Sequence, residues 1–328
     1  MSSSGILIVI PCLNEEAFLP GLLDQFGEEN PGALVVVADG GSTDRSRQIV
    51  AEKALVSPNV VLLDNPKKIQ AAGVNLAVAL HGGDRKWLVR VDAHCDYPRG
   101  YVRRLVEAAE ERGALSVVVP MVTKGRTCFQ IATAAAQNSI LGTGGSPHRR
   151  VGEGAFVDHG HHALMRIEAF REVGGYREDM AANEDAELDQ RLVKLGRIWL
   201  EPALAVTYFP RSSPVALWKQ YFRYGQGRAC TVRIHGARPK LRQLLPLAVP
   251  VAVALALISP LNGWFAAPLA VWLTALLIGG AVLGLTDRRP CALISGFPAG
   301  LMHLGWGLGF LSEWLFARDP KAKAAAKQ

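Results

Sequence analysis

From Leu244 onward this chain of 328 residues carries almost no charge for long runs, and apolar stretches at about 244–259, 264–285 and 291–316 dictate what that part can become. A backbone in hydrocarbon must satisfy its own hydrogen bonds, so such stretches form helices. The second is long enough to cross a bilayer, the first is near the lower limit, and the third contains Gly296, Pro298 and Gly300. Basic residues precede the first stretch (Arg238, Lys240, Arg242), separate the second from the third (Arg288, Arg289) and fill the tail (Lys321, Lys323, Lys327). If positive charge stays inside, the first two stretches form a hairpin and the third returns as a re-entrant pair, which leaves the crossing number open.

Ahead of Leu244 the pattern changes. GILIVIP, ALVVVADGGS, NVVLLDN, WLVRVDAH and ALSVVVP are near-continuous strand-like runs, and amphipathic segments around 15–26, from Thr43, 69–80 and 101–112 separate them. Such alternation predicts a doubly wound α/β domain whose mostly parallel sheet is covered on both faces. The N-terminal run has no basic region and reads as the first strand, not as a signal peptide. The expected boundaries are a catalytic-type domain over 1–210, an amphipathic interfacial helix region over 211–243 and a transmembrane region over 244–328. The glycine-rich, basic stretch between Gly142 and Gly160 reads as a lid or a connector.

Net charge is +7, and basic residues crowd between Arg211 and Arg242, where acidic residues are absent. That stripe suits an anionic membrane surface or a phosphate-bearing substrate better than nucleic acid, for which no recognisable motif accompanies it. The five cysteines are odd in number and lack CxxC spacing, so they indicate neither a disulfide framework nor a zinc site, and a reducing cytosol fits.

In open α/β sheets ligands bind beyond the carboxyl ends of strands, where this chain places Asn14-Glu15, Asp39-Gly40-Gly41 and Asp92-Ala93-His94. Asp39 can accept hydrogen bonds from a nucleotide base or ribose, or merely from its own turn. Asp92 and His94, alternate residues at a strand end, suit a divalent cation held against a diphosphate; magnesium or manganese fits the carboxylate, and the imidazole tilts the choice towards manganese. Asn183-Glu184-Asp185 opens a helix with an apolar side of Leu188, Leu192 and Leu195, so its acids read either as ordinary helix-start residues or as a site in which Asp185 takes a proton from an attacking hydroxyl. KQYFRYG at 219–225 mixes aromatics with Lys219 and Arg223, which suits an interfacial helix or a diphosphate clamp.

Taken in order, PCLNEE (11–16), ADGGSTD (38–44), VDAH (91–94), NEDAEL (183–188) and KQYFRYG (219–225) resemble family 2 glycosyltransferases of the GT-A fold, over roughly residues 5–230. RVDAHCDYP and FVDHGHHALMR are nearest in look to the members that build succinoglycan. The resemblance implies a hexosyltransferase that works by one in-line displacement, inverting an α-linked nucleotide sugar to a β-glycoside. Pro11 and Glu15 would border the base and ribose pocket, Asp39 would meet the uracil or its ribose, and Asp92 would ligate Mn2+ or Mg2+. His94 stands where the family commonly has a second Asp, Asp185 takes the general-base position, and Glu184 counts with the substrate-binding residues. Gln220, Arg223 and Tyr224 match a QxxRW element with Tyr in place of Trp.

The implied partners are UDP-glucose, a polyprenyl-diphosphate-linked saccharide extended through a β-1,3 link in exopolysaccharide biosynthesis, and membrane lipids. The implied location is the bacterial inner membrane, multi-pass, with the catalytic domain in the cytoplasm. A polyprenyl-phosphate sugar transferase, a small polysaccharide synthase and a non-catalytic membrane nucleotide-binding scaffold are the competing readings.

Overall fold

The Val/Ile/Leu runs form the strands they predict. The computed structural model describes residues 5–144, 152–180, 182–236 and 241–316. Residues 145–151 of the glycine-rich stretch and the basic residues Arg238, Lys240, Lys321, Lys323 and Lys327 lie outside them, as does the side chain of Arg242.

In chain order the strands are β1 (Ile6–Cys12), β2 (Leu34–Asp39), β3 (Val60–Asp64), β4 (Trp87–Arg90), β5 (Cys95–Asp96), β6 (Ser116–Val119), β7 (Met121–Thr123), β8 (Ala155–Val157), β9 (His161–Arg166), β10 (Ile198–Leu200) and β11 (Val206–Tyr208). The helices are α1 (Leu19–Glu29), α2 (Ser46–Val56), α3 (Gln70–His81), α4 (Tyr101–Arg112), α5 (Cys128–Gln137), α6 (Ile140–Thr143), α7 (Ile167–Glu172), α8 (Glu184–Leu192), α9 (Pro214–His235), α10 (Leu241–Leu257), α11 (Ala267–Asp287) and α12 (Gly296–Phe316). They group into two compact units. The first comprises Met1–Met121, Val151–Asp179 and Glu184–Tyr208, and the second Val122–Arg150, Met180–Asn183 and Phe209–Gln328.

The first unit is built on an eight-stranded sheet of order β3-β2-β1-β4-β9-β6-β10-β8. Its β3-β2-β1-β4 part is parallel throughout. β9 is then inserted antiparallel between β4 and β6, and β8 pairs antiparallel with β10. Alternate residues of one strand feed two cores. Ile8 and Ile10 meet Leu23 and Phe26 of α1 and Leu105 of α4, whereas Leu7 and Val9 meet Val74 of α3 and Leu188 and Leu192 of α8. A strand buried on both faces has no polar side to show, which is why these runs lack period-two alternation. Each fully buried Val, Leu or Ile contributes roughly 1.5–3 kcal/mol.

In the second unit, 263–287 and 290–316 are long and apolar enough to cross a membrane, with mean hydropathies of 2.1 and 1.2. α10, with Pro246 and Pro250 inside it, is shorter. α11 is apolar all round and leaves Val271, Leu277, Ile278 and Leu285 exposed. α12 is half buried, because it packs closely against α9, the segment whose composition suggested an interfacial helix. The seam is made of glycines: a Cβ on Gly225 would lie 2.1 Å from the Trp306 carbonyl oxygen, and one on Gly309 would lie 2.0 Å from that of Phe222.

The cysteine reading is corrected here. Cys128, opening α5, is disulfide-bonded to Cys291 in the turn between α11 and α12, 163 residues away. Spacing rules detect local pairs, and nothing local announces a bridge between elements so distant in sequence.

The glycine seam yields a stability prediction. Gly309→Leu forces a side chain into backbone and is expected to destabilise the full chain in detergent by about 3 kcal/mol, read as a lowered thermal midpoint. Gly263→Ala, with no heavy atom within 4 Å of its new Cβ, should leave the midpoint unchanged. A Gly309→Leu protein as stable as wild type would show that the helices do not meet there.

Candidate active site

Three loops at the carboxyl ends of β1, β2 and β4 carry the acids picked out by sequence. The first two are stitched together. Asn14 adopts a left-handed backbone (φ 58°), its amide donates to Ser42 Oγ (2.9 Å), and its side-chain oxygen accepts from the Thr43 amide (2.8 Å). The Glu15 amide donates to Ser46 Oγ (2.9 Å). Pro11 sits in β1 beside Ala38 of β2.

Asp39 is buried, and its carboxylate accepts from the amides of Gly41 (3.0 Å) and Ser42 (3.2 Å) and from Arg47 Nη1 (2.7 Å). Burial alone would raise its pKa, but the bonds from Ser42, Arg47 and Gly41 outweigh it and hold the carboxyl below the ordinary range. The Asx-like turn foreseen as the plainer reading is therefore present.

Around β4 the chemistry converges. Arg90 and Asp92, two residues apart, stand on the same side of the chain, and Arg90 is only 5% exposed. Its Nε and Nη2 donate to Asp92 Oδ1 at 3.3 and 3.2 Å. Its Nη1 donates to Tyr176 Oη at 3.2 Å and to Asp185 Oδ1 at the start of α8. One guanidinium thus bridges the two acids that sequence assigned to cation binding and to proton abstraction. Gln70 Nε2 adds a third donor to Asp92 Oδ1 (2.8 Å), while Asp92 Oδ2 lies 3.7 Å from His161 Nε2. His94, more exposed, faces Glu15, with Nδ1 3.3 Å from Oε1.

α8 is amphipathic in an unusual sense. Leu188 and Leu192 seat it on the sheet, and Asp185 and Asp189, four residues apart, share that inward face. Asp189 is fully buried, accepting from His162 Nε2 (2.7 Å) and His159 Nδ1 (2.9 Å). His162, equally buried, has its Nδ1 2.6 Å from Tyr176 Oη and 3.6 Å from Asp185 Oδ1. The insertion of β9 beside β4, in register Val89 to Leu164, delivers these histidines.

The electrostatics follow from the contacts. Burial would raise Asp92 and Asp185, but Arg90 holds both below the usual carboxylate range, with the neighbouring histidines helping. Burial and the adjacent Asp185 push Glu184 upward. Burial pushes His161 down to about 4, against the pull of Asp92, so its ring is neutral at physiological pH. Asp185 is thus a carboxylate at neutral pH, as a base must be, beside an acid driven the other way.

Gln220, Arg223 and Tyr224 belong to α9 in the second unit, where Gln220 Nε2 donates to Tyr224 Oη (3.0 Å) and Arg223 is exposed. Sequence reasoning gave no role to Arg90, Gln70, His161, His162, Tyr176 or Asp189. One signal was available: an Arg inside the buried run WLVRV must be paired, because an unpaired buried charge is costly.

A buried guanidinium is thus shared by a strand-end and a helix-start carboxylate at the carboxyl edge of a largely parallel sheet. The chain belongs to glycosyl transferase family 2, whose pattern its residues 7–174 match, and it is a glycosyltransferase. It is 50% identical over 319 residues, 96% of each chain, to the succinoglycan biosynthesis protein ExoA of Rhizobium meliloti. A Methanococcus voltae protein, dolichyl N-acetyl-alpha-D-glucosaminyl phosphate 3-beta-D-2,3-diacetamido-2,3-dideoxy-beta-D-glucuronosyltransferase, is 23% identical over 239 residues, 70% of this chain and 74% of that one. Among solved structures, the mannosyltransferase PcManGT from Pyrobaculum calidifontis, in complex with GDP-Man and Mn2+, shares the GT-A fold. Its TM-score is 0.57 at 18% identity, covering 95% of this chain and 88% of that one.

Arg90→Gln removes the shared cation and should cost about 3–5 kcal/mol, since two buried carboxylates lose their partner. The sign with pH is fixed. Carboxylates held low stabilise the fold above the ordinary Asp range, and that stabilisation is lost as pH falls through their lowered values. Wild type should therefore resist acid unfolding to a lower pH than Arg90→Gln, as followed by circular dichroism; equal acid sensitivity would contradict the bridge.

Proposed function

We propose that this protein transfers a sugar, with inversion, from a nucleoside diphosphate sugar to a lipid-diphosphate-linked saccharide during assembly of a succinoglycan-like exopolysaccharide. The observation that carries this reading is Asp185, half-buried, ionised and held by the same guanidinium that holds Asp92. In this reading Asp185 removes the proton of the acceptor hydroxyl as that oxygen attacks the anomeric carbon and the diphosphate leaves with the electron pair. Pro11, Glu15 and Asp39 border the base and ribose, and Glu184 counts with the substrate-binding residues. Half-identity to a protein named for succinoglycan biosynthesis supports the pathway, and glucose from UDP-glucose through a β-1,3 link is the donor and linkage proposed.

Asp92 and His94 are the residues that would hold a divalent cation, Mn2+ or Mg2+. The fit is that of a shared ion. Among the described residues no three His, Cys, Asp or Glu side chains gather to cage a metal, and the bonds from Arg90 and Gln70 fall on Oδ1 of Asp92, not on Oδ2. Two protein donors suit a cation whose remaining ligands come from the diphosphate and water. When bound, such an ion offsets charge developing on the leaving diphosphate. Arg90 meanwhile keeps Asp92 ionised and fixed whether or not an ion is present.

The two apolar segments 263–287 and 290–316 support a multi-pass protein of the bacterial inner membrane with the first unit in the cytoplasm, where nucleotide sugars are made and a lipid-linked acceptor is within reach. The Methanococcus relative, whose name specifies a sugar already attached to a lipid phosphate, favours a lipid-linked saccharide over a bare lipid phosphate as acceptor.

Two measurements on membranes containing the full chain test this function. With UDP-glucose and a polyprenyl-diphosphate-linked monosaccharide, Asp185→Asn should lower kcat by about a hundred- to ten-thousandfold with donor affinity little changed. Wild-type turnover in that variant would sink the base assignment. Chelation should abolish transfer and Mn2+ or Mg2+ restore it, and chelator-resistant activity would remove the cation from the mechanism.

A further inference from the structure

The general base does not stand alone. Next to Asp185 a second pair joins β9 to α8: His162 and Asp189, both with fully buried side chains. A buried imidazole against a buried carboxylate is expensive to assemble, and packing alone would be served better by two apolar residues. The arrangement is also locked on its far side. Asp189 Oδ2 accepts from His159 Nδ1 at 2.9 Å and from the Gly160 amide at 3.3 Å, which leaves Oδ1 aimed at His162 Nε2 at 2.7 Å. That bond fixes the imidazole with its proton on Nε2 and turns Nδ1 towards Tyr176 Oη (2.6 Å) and Asp185 Oδ1 (3.6 Å).

We propose that His162, oriented by Asp189, is a positioning residue that takes over from Asp185 the proton of the acceptor hydroxyl. The inference rests on the assignment of Asp185 as base. As the acceptor oxygen bonds to the anomeric carbon and the anomeric carbon–diphosphate bond breaks towards the diphosphate, the hydroxyl proton passes to Asp185 and on to His162 Nδ1, whose lone pair is freed as the Tyr176 hydroxyl turns its hydrogen away. The imidazolium is paired with Asp189, and after the product leaves the proton returns through Asp185 to water. The need for this step lies in Arg90. A proton resting on Asp185 would strip the buried guanidinium of one of its two carboxylates, whereas a proton on His162 leaves that pairing intact and is itself met by Asp189. The 3.6 Å separation is longer than a hydrogen bond and shortens in the reacting complex, as catalytic pairs of unliganded enzymes do.

The charged and titratable groups around His162 are Asp185 and Asp189 from α8, Arg90 from β4, His161 on its own strand and Tyr176 from the segment after α7. Burial would push His162 down, but Asp189 and Asp185 outweigh it and raise the ring above the ordinary imidazole range, with Arg90 opposing them. A relay must begin neutral to accept a proton, so turnover falls as pH drops through the raised value of His162.

The test uses the full chain in membranes, with UDP-glucose and a polyprenyl-diphosphate-linked monosaccharide. His162→Gln should lower kcat about 10- to 100-fold, less than loss of the base, with both KM values within about twofold and the acidic limb of the pH–rate profile abolished. Asp189→Asn should keep that limb but move it to lower pH, because the imidazolium loses its partner. A purely structural role moves neither limb. A folded His162→Gln enzyme with wild-type kcat and an unshifted acidic limb overturns the relay; if that variant does not fold, an unmoved limb in Asp189→Asn overturns it instead. Asp185→Asn run alongside separates the two ideas. Full activity there ends the base assignment and the relay together, whereas loss of activity there with a normal His162→Gln enzyme ends the relay alone.

Discussion

The first unit depends on one buried cation. Arg90 enters the protein at the last residue of β4, and its guanidinium has planar, divergent donors that reach Asp92 on its own chain segment and Asp185 on α8 at once. A lysine there would offer a point charge and could not make the same fork. Around that guanidinium the other choices follow. Two acids stay ionised in the interior, Tyr176 turns its hydroxyl inward, and the helix bearing Asp185 is seated by Leu188 and Leu192 on the sheet that carries Arg90. A buried ion network of this sort is weak support for stability by itself, but removing its cation leaves the carboxylates it holds without their partner.

The second unit is organised by a different constraint, the absence of side chains. Glycines 225, 305, 307 and 309 let α9, α10 and α12 approach backbone to backbone, so a helix that is apolar enough for a bilayer is nonetheless half covered by protein. α11 leaves its large apolar residues exposed. The bond from Cys128 to Cys291 fastens the turn between α11 and α12 to α5 in the same unit.

Much of this was legible in the chain itself. β1, β2, β4 and β6 were visible as Val/Ile/Leu runs because strands buried on both faces need no polar alternation. Asp39, Asp92 and Asp185 stood out because acids that follow such runs, or open a helix, fall where ligands can reach them. α11 was visible because a charge-free run of that length has few other fates, whereas α12 is one continuous helix where the sequence suggested a re-entrant pair. His161 and His162 were in plain sight in the stretch FVDHGHHALMR, yet their role was not. Their significance depends on which strand lies beside them, and an antiparallel strand inserted between β4 and β6 leaves no local mark.

What the sequence determined by itself was the class of fold, the long apolar run that becomes α11 and the strand ends that carry Asp39 and Asp92, since each follows from periodicity, length and residue type within a few dozen residues. Tertiary structure alone decided that Arg90 joins Asp92 to Asp185, that His162 and Asp189 pair beside Asp185, that glycines bring α9 against α12, and that Cys128 meets Cys291. Each of these brings together groups far apart in the chain or on neighbouring elements, and such proximity is set by strand order and helix packing, which no short-range pattern encodes.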